Sequence, residues 1–216
     1  MILNFIRSIQ NEKPKYALFA FGRKFLEQAV GRIVSHLLGW RGGYLGAGSR
    51  VIGSKSISMG YKAHINRYAW IEAIHTFRGQ TFKPSICIGG WFSAADRLHV
   101  SCIDRIEIGD HCLFGSSVYI SDHNHGIYKG EEQSWPTQAP VDRVLRSDGP
   151  VSIGSNVWLG DNVIIVGPVT IGDGAVVGAN SVVTQNVPEN VMAAGAPLRM
   201  FRRFSSETKT WIPYAG

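Results

Sequence analysis

From Ile153 onward apolar positions recur every sixth residue: IGSNVW LGDNVI IVGPVT IGDGAV VGANSV VTQNVP. The first positions, Ile153, Leu159, Ile165, Ile171, Val177 and Val183, are all aliphatic. The fifth, Val157, Val163, Val169, Ala175, Ser181 and Val187, are small or β-branched, and most second positions are glycine. An amphipathic helix repeats its apolar residues at three and four, and a half-buried strand alternates them. A period of six fits neither. It fits short strands with a turn after each, three to a coil, with first-position side chains stacked inside and neighbouring coils about 4.8 Å apart. The same register recurs less strictly from Met59, Ile65 and Ile71, from Ile88, Ala94 and Val100, and, after two extra residues, from Ile108 and Phe114. Insertions separate these blocks, notably 77–85. The longest break, 121–150, opens within ISDHNHGIYKG.

The sequence predicts an all-β solenoid with helices at its ends. Residues 14–39 have helical spacing, with Leu18, Phe25, Ala29, Ile33 and Leu37 on one face and Pro14 and Gly39 as boundaries. A shorter helix is expected near 204–211, capped by Ser205 or Ser206. The chain then divides into a helical segment (1–50), a solenoid domain (51–203) with an extruded loop (121–150), and a C-terminal helix and tail (204–216).

Length and composition narrow the class further. A chain of 216 residues, 44% hydrophobic and 18% charged, suffices for one sizeable core. Its 25 glycines suggest many turns that want a positive φ. There is no apolar run long enough to span a membrane and no secretion-like leader, so a cytoplasmic protein is expected, with 14–39 able to touch the inner membrane face. The odd set Cys87, Cys102 and Cys112 lacks metal-like spacing and fits a reduced compartment. The net charge of +6 sits at the ends. Residues 1–41 hold seven Lys and Arg against two acids, and 196–216 hold four against one. Basic ends suit phosphate-bearing partners, but no nucleic-acid recognition motif accompanies them.

The hexads, the DHNHG break and the closing AAGAPLRMFR resemble the hexapeptide-repeat acyltransferases, especially the sugar O-acetyltransferases of lipopolysaccharide and capsule biosynthesis and the galactoside and maltose acetyltransferases. The resemblance covers roughly 59–211. It implies a left-handed parallel β-helix, a homotrimer with active sites between subunits, and acetyl-CoA as donor, with no metal.

Moving an acetyl group to a sugar hydroxyl requires a base for a very weakly acidic proton, a task suited to imidazole. The resemblance places that base at His123. His125 would touch the acceptor or share the role, and either Asp122 or Asp96 would orient the ring. Ala95 stands where several relatives have an acceptor-binding asparagine, which makes Asp96 and His99 candidates on the acceptor side. For the donor, the resemblance implies Gly160, Asp161, Gly178, Ala179, Thr184 and Gln185 along the pantetheine arm, and Arg199 and Arg202 at the phosphates, where paired guanidinium donors suit phosphate. Gln185 stands where relatives often carry lysine; Arg203 is a substitute cation. Trp158 is expected to pack near the cleft. Cys112, at a fifth position, is expected to be buried and inert, which favours direct transfer over an acyl-cysteine.

The loop 126–150 is long enough to be functional. Tyr128 and Trp135 would offer flat faces to a sugar, making the loop an acceptor-side lid. The helix 14–39 would cap the coils, lie on a membrane that presents a lipid-linked glycan, or do both. Three other readings compete. One is an N-acetyltransferase on a nucleotide-linked amino sugar; another is a zinc protein like the γ-class carbonic anhydrases, using His123, His125 and another histidine. The third is a catalytically silent scaffold.

Overall fold

The computed structural model describes residues 14–214. From Tyr44 to Ala194, the strands outside two small hairpins join three parallel sheets in rotation. The first face stacks Tyr44–Leu45, His64–Ile65, Ser93–Ala94, Leu113–Phe114, Trp158–Leu159, Val176–Val177 and Val191–Ala194. The second stacks Arg50–Ile52, Trp70–Ala73, His99–Cys102, Tyr119–Ser121, Ile164–Val166 and Val182–Val183. The third stacks Ile57–Met59, Ser85–Ile88, Arg105–Ile108, Val151–Ile153 and Val169–Ile171, continued by a bridge from Ile171 to Val187. Strands dealt to three sheets in turn make a three-sided coil. Its first rung already lies within 1–50, so the solenoid begins some residues before 51.

The sixfold pattern accounts for the interior. Val100 sits in register with Ile71 and Ile120, and Ile120 with Ile165. Every first and fifth position from 153 to 187 is buried. Each such aliphatic side chain contributes about 1.5–3 kcal/mol by leaving water. The turns divide the work otherwise than the glycine count suggests. Positive φ falls on the fourth position of the hexads, Asn156, Asn162 and Asn180, and upstream on bulkier residues such as Trp91, Arg97 and His111. The second-position glycines are needed instead for close approach between coils: a Cβ on Gly160 would lie 2.6 Å from Ala179 N.

The helix α1, Pro14–Leu37, closes the open end of the coil. Gly31 fits against Tyr44 and Leu45, Val34 and Leu38 pack on the core, and Glu27 pairs with Arg67 at 2.5 Å. The stripe expected from the sequence faces away from the coil: Phe25, Ile33 and Leu37 are exposed, joined by Leu26 and Val30. The side chain of Leu18 lies outside the described residues. No described helix is long and apolar enough to cross a membrane.

The C-terminal helix does not form. Arg199–Ser205 and Thr210–Pro213 are antiparallel strands added to the first face. Phe204 meets Trp211 across the pair at 5.5 Å, and the two threonine hydroxyls of Thr208 and Thr210 are 2.8 Å apart. β-branched and aromatic residues at 208–212 favour that pairing over a helix. Ser205 does cap, but it caps the hairpin turn: its Oγ accepts from Thr208 N at 3.2 Å.

Candidate active site

All the irregular insertions leave the coil at one corner, between the second and third faces. Residues 77–85 leave there in one coil. The two surplus residues between Val100 and Ile108 widen the corner of the next, and 121–150 leaves from the one after. The first insertion is a small hairpin, Thr76–Phe77 with Gln80–Thr81. The third is an arm whose base pairs His123–His125 with Leu145–Ser147. The two insertions clasp each other. Gln80 exchanges two hydrogen bonds with the Leu145 backbone (3.1 and 2.8 Å), Arg78 pairs with Asp142 at 2.5 Å, and Phe77 meets the His125 ring edge-on at 5.5 Å.

The widened corner between them cradles Asp122, which is fully buried. Its carboxylate accepts from Ile103 N at 3.0 Å, Asp104 N at 2.8 Å and the Cys102 thiol at 3.1 Å. Burial by itself pushes this carboxyl up; donation from His123, from those two backbone N–H groups and from the thiol outweighs it and holds the group below the usual carboxylate range. The Cys102 thiol is pushed up, first by burial and then by the Asp122 charge, so it stays protonated and donates.

His123 Nδ1 lies 2.9 Å from Asp122 Oδ1. A carboxylate can only accept, so Nδ1 carries the proton and Nε2 presents a lone pair. The ring is only 8% exposed. Among the described residues no buried side-chain nitrogen or oxygen lacks a partner, and Nε2 has none, so Nε2 is the atom that reaches solvent. Ser121 fixes the adjoining backbone, its hydroxyl donating to His123 O at 2.9 Å. The arrangement is a histidine held in one tautomer by a carboxylate that is itself locked, with Nε2 left able to accept a proton.

The other sequence candidates divide. Asp96 does not orient the ring: its carboxylate accepts from Arg67 N at 3.2 Å, strapping one turn to the next. Asp161 does the same for Ser116 N at 2.5 Å, as Asp110 and Asp173 do elsewhere. Tyr128, expected to offer a flat face to a sugar, has its hydroxyl occupied within the arm, donating to His125 O at 2.6 Å and accepting from Arg143 at 2.9 Å. Trp135 is exposed. His99 is close enough to the dyad that burial first and the His123 charge second hold its pKa below the usual histidine range.

On the other side of the dyad, Gly160, Gly178, Ala179, Thr184 and Gln185 line the C-terminal coils. Gln185 donates to Leu198 O at 3.0 Å, while Arg199, Arg202 and Arg203 lie exposed on the closing strand. Trp158 projects outward from the first face, 53% exposed. Cys112 is buried, and burial raises its thiol, as expected for an inert side chain. Sequence reasoning missed Cys102, Ile103 and Asp104; the only signal was the two-residue slip in the hexad register. Among the described residues no three His, Cys, Asp or Glu side chains converge on a point that could hold a metal.

Residues 150–185 match the family model described as "Bacterial transferase hexapeptide (six repeats)", and 105–127 match "Hexapeptide repeat of succinyl-transferase". The chain is 44% identical over 117 residues to the putative lipopolysaccharide biosynthesis O-acetyl transferase WbbJ of Escherichia coli K12, covering 54% of this chain and 59% of that protein. It is 34% identical over 139 residues to a putative acetyltransferase of Saccharomyces cerevisiae, covering 53% of this chain and 71% of that one. Among solved structures, AntD, an N-acyltransferase from Bacillus cereus in complex with dTDP and 3-hydroxybutyryl-CoA, shares the fold. The TM-score is 0.62 at 19% identity, over 77% of this chain and 82% of that one.

Proposed function

Since this chain belongs to the hexapeptide-repeat acetyltransferase family, we propose that it moves an acetyl group from acetyl-CoA to a sugar hydroxyl of a surface polysaccharide, with His123 as general base. The observation that carries this reading is the locked pair Asp122–His123 with Nε2 open, raised at the one corner where the coil is interrupted. The likeness to a putative lipopolysaccharide O-acetyl transferase supports the acceptor class.

Asp122 keeps the proton on His123 Nδ1, so Nε2 takes the proton of the sugar hydroxyl as its oxygen attacks the thioester carbonyl carbon. A C–O bond forms and the C–S bond breaks. The proton on Nε2 then goes to the departing thiolate, giving free CoA thiol. With Cys112 buried and Cys102 serving as a donor to Asp122, neither of these thiols is placed to carry the acetyl group; Cys87 is exposed on the third face, and in this reading transfer is direct.

The coil is left-handed in this reading, and the protein a trimer with its sites between subunits. The unequal faces support that assembly. The third face shows water a mostly polar row, Ser58, Cys87, Glu107, Ser152 and Thr170, whereas the first shows His64 and Ser93 and then the apolar Leu113, Trp158, Val176 and Met192. Donor contacts fall to Gly160, Ala179, Thr184 and Gln185, and the phosphates to Arg199, Arg202 and Arg203. The outward stripe of α1, flanked by Arg23, Lys24 and Arg32, suits an anionic membrane surface carrying a lipid-linked acceptor.

A thiol-release assay with acetyl-CoA and a panel of saccharides and amino sugars tests the reading. Release with hydroxyl acceptors supports it; release with amino sugars alone would reassign the chain to N-acetylation.

A further inference from the structure

The outward side chains of the second face change character at the coil bearing His123. On the C-terminal side, in register with Tyr119, come Ile164 and then Val182. On the N-terminal side the column reads Tyr119, His99, Trp70 and Arg50, one residue per coil. These four stack on one another. The His99 and Trp70 rings lie 4.6 Å apart and 6° from parallel, Tyr119 meets His99 edge-on at 5.0 Å, and the Arg50 guanidinium covers Trp70 at 4.9 Å.

Stacking occupies the ring faces and turns the polar edges outward. Neither the His99 ring nitrogens nor the Tyr119 hydroxyl has a hydrogen-bond partner among the described residues. Neither is a buried unpaired group, so both are open to solvent. Arg50 has no ion-pair partner among them either. The column is a row of hydrogen-bonding edges at one-rung intervals, about 14 Å over three steps. It ends at Tyr119, on the strand Tyr119–Ser121 that leads directly into Asp122 and His123.

We propose that Arg50, Trp70, His99 and Tyr119 form an extended acceptor site for an oligosaccharide chain, which lies along the coil and delivers its modified hydroxyl to His123 Nε2. The proposal rests on the acetyl-transfer reading above. A row of edges with the period of the coil matches a polymer whose hydroxyls repeat at a similar length; a single sugar would meet only its last two members. The donor positions Gly160 to Arg203 all lie on the opposite side of His123, so the two substrates approach from opposite ends. Bound edge-on, the saccharide bonds to the imidazole and phenol, each bond worth about fivefold in affinity.

The test is direct binding, by calorimetry, of oligosaccharides of three or more residues from lipopolysaccharide and capsule, against the monosaccharides that full hydrolysis of the same material yields. The wild-type protein should bind an oligosaccharide at least about tenfold more tightly than its monomers. Trp70→Leu should erase that preference, and Tyr119→Phe should weaken oligosaccharide binding about fivefold. Both variants should keep the wild-type mass in solution and the same thermal shift with acetyl-CoA. Equal affinity for chain and monomers, or a preference that survives Trp70→Leu, would overturn the proposal. So would a change of oligomeric mass in the variants, which would make the column a subunit contact. Absence of any acetyl-CoA shift in the wild type would count against the acetyl-transfer reading alone, because the oligosaccharide preference is measured without the donor.

Discussion

At the scale of single residues, the site depends on Asp122 more than its neighbour's prominence in the sequence suggests. Asp122→Asn replaces a locked acceptor with an amide that faces four donors, so we expect a loss of about 2–3 kcal/mol of stability at neutral pH. The folded carboxyl titrates below its unfolded value of about 3.9, so its contribution is complete above that pH and disappears only as pH falls through the folded value. Urea titrations of both proteins should therefore converge only in strong acid. His99 is shifted in the same direction but for another reason, burial of its ring, and acts at higher pH. Its folded pKa is depressed, so the unfolded chain takes up a proton first and stability declines as pH falls below about 6.5. His99→Asn should flatten that part of the stability curve. Cys102→Ser keeps a donor to Asp122 and Cys102→Ala removes it. Transfer should survive the first far better than the second, with KM for acetyl-CoA unchanged in both. His123 was legible in the sequence through its motif. The Asp122 partnership was one of two open alternatives there, because adjacent residues in a regular strand point to opposite faces. The bend where the chain leaves the second face brings the pair together.

At the scale of elements, the hexads were the most readable feature, since a period of six leaves few options for burying every first position. Two elements escaped for physical reasons. The segment 204–211 carries a good helix cap, but an unpaired edge lay beside it and Thr210, Trp211 and Ile212 join that edge. The clasp between residues 77–82 and the arm 123–147 is a contact between two insertions, and no periodicity reports on that. The turns yield a paired prediction. Gly160→Ala puts a Cβ 2.6 Å from Ala179 N and should cost about 1–3 kcal/mol. His111→Asn, at a residue with φ of 59°, should raise stability by up to about 1 kcal/mol, because asparagine tolerates that conformation better. Melting curves of the two variants should move in opposite directions.

At the scale of the whole molecule, charge and surface chemistry follow the coil axis. The N-terminal end carries α1 with its exposed stripe, the middle carries the dyad, and the strand Arg199–Ser205 carries Arg199, Arg202 and Arg203. The sequence showed that both ends are basic. It could not show which side of α1 meets the coil, because Gly31 and Ser35, which do not read as apolar, lie in that contact beside Val34, while the longer apolar stripe faces away. Ile33→Glu should abolish co-sedimentation with vesicles containing phosphatidylglycerol while leaving the melting temperature within a few degrees, since Ile33 is exposed. Acetyl-CoA at one hundred times its Kd should stabilise the protein by about 2.7 kcal/mol, and Arg199→Ala with Arg202→Ala should remove most of that shift.

The most direct measurement is CoA-thiol release from acetyl-CoA, with the responding saccharide acceptor, by the wild-type protein and by His123→Ala. Loss of the base should lower the rate about 10²- to 10⁴-fold, with the acetyl-CoA thermal shift and oligomeric mass unchanged. Full activity in His123→Ala would place the base elsewhere and leave the Asp122–His123 pair with no catalytic part.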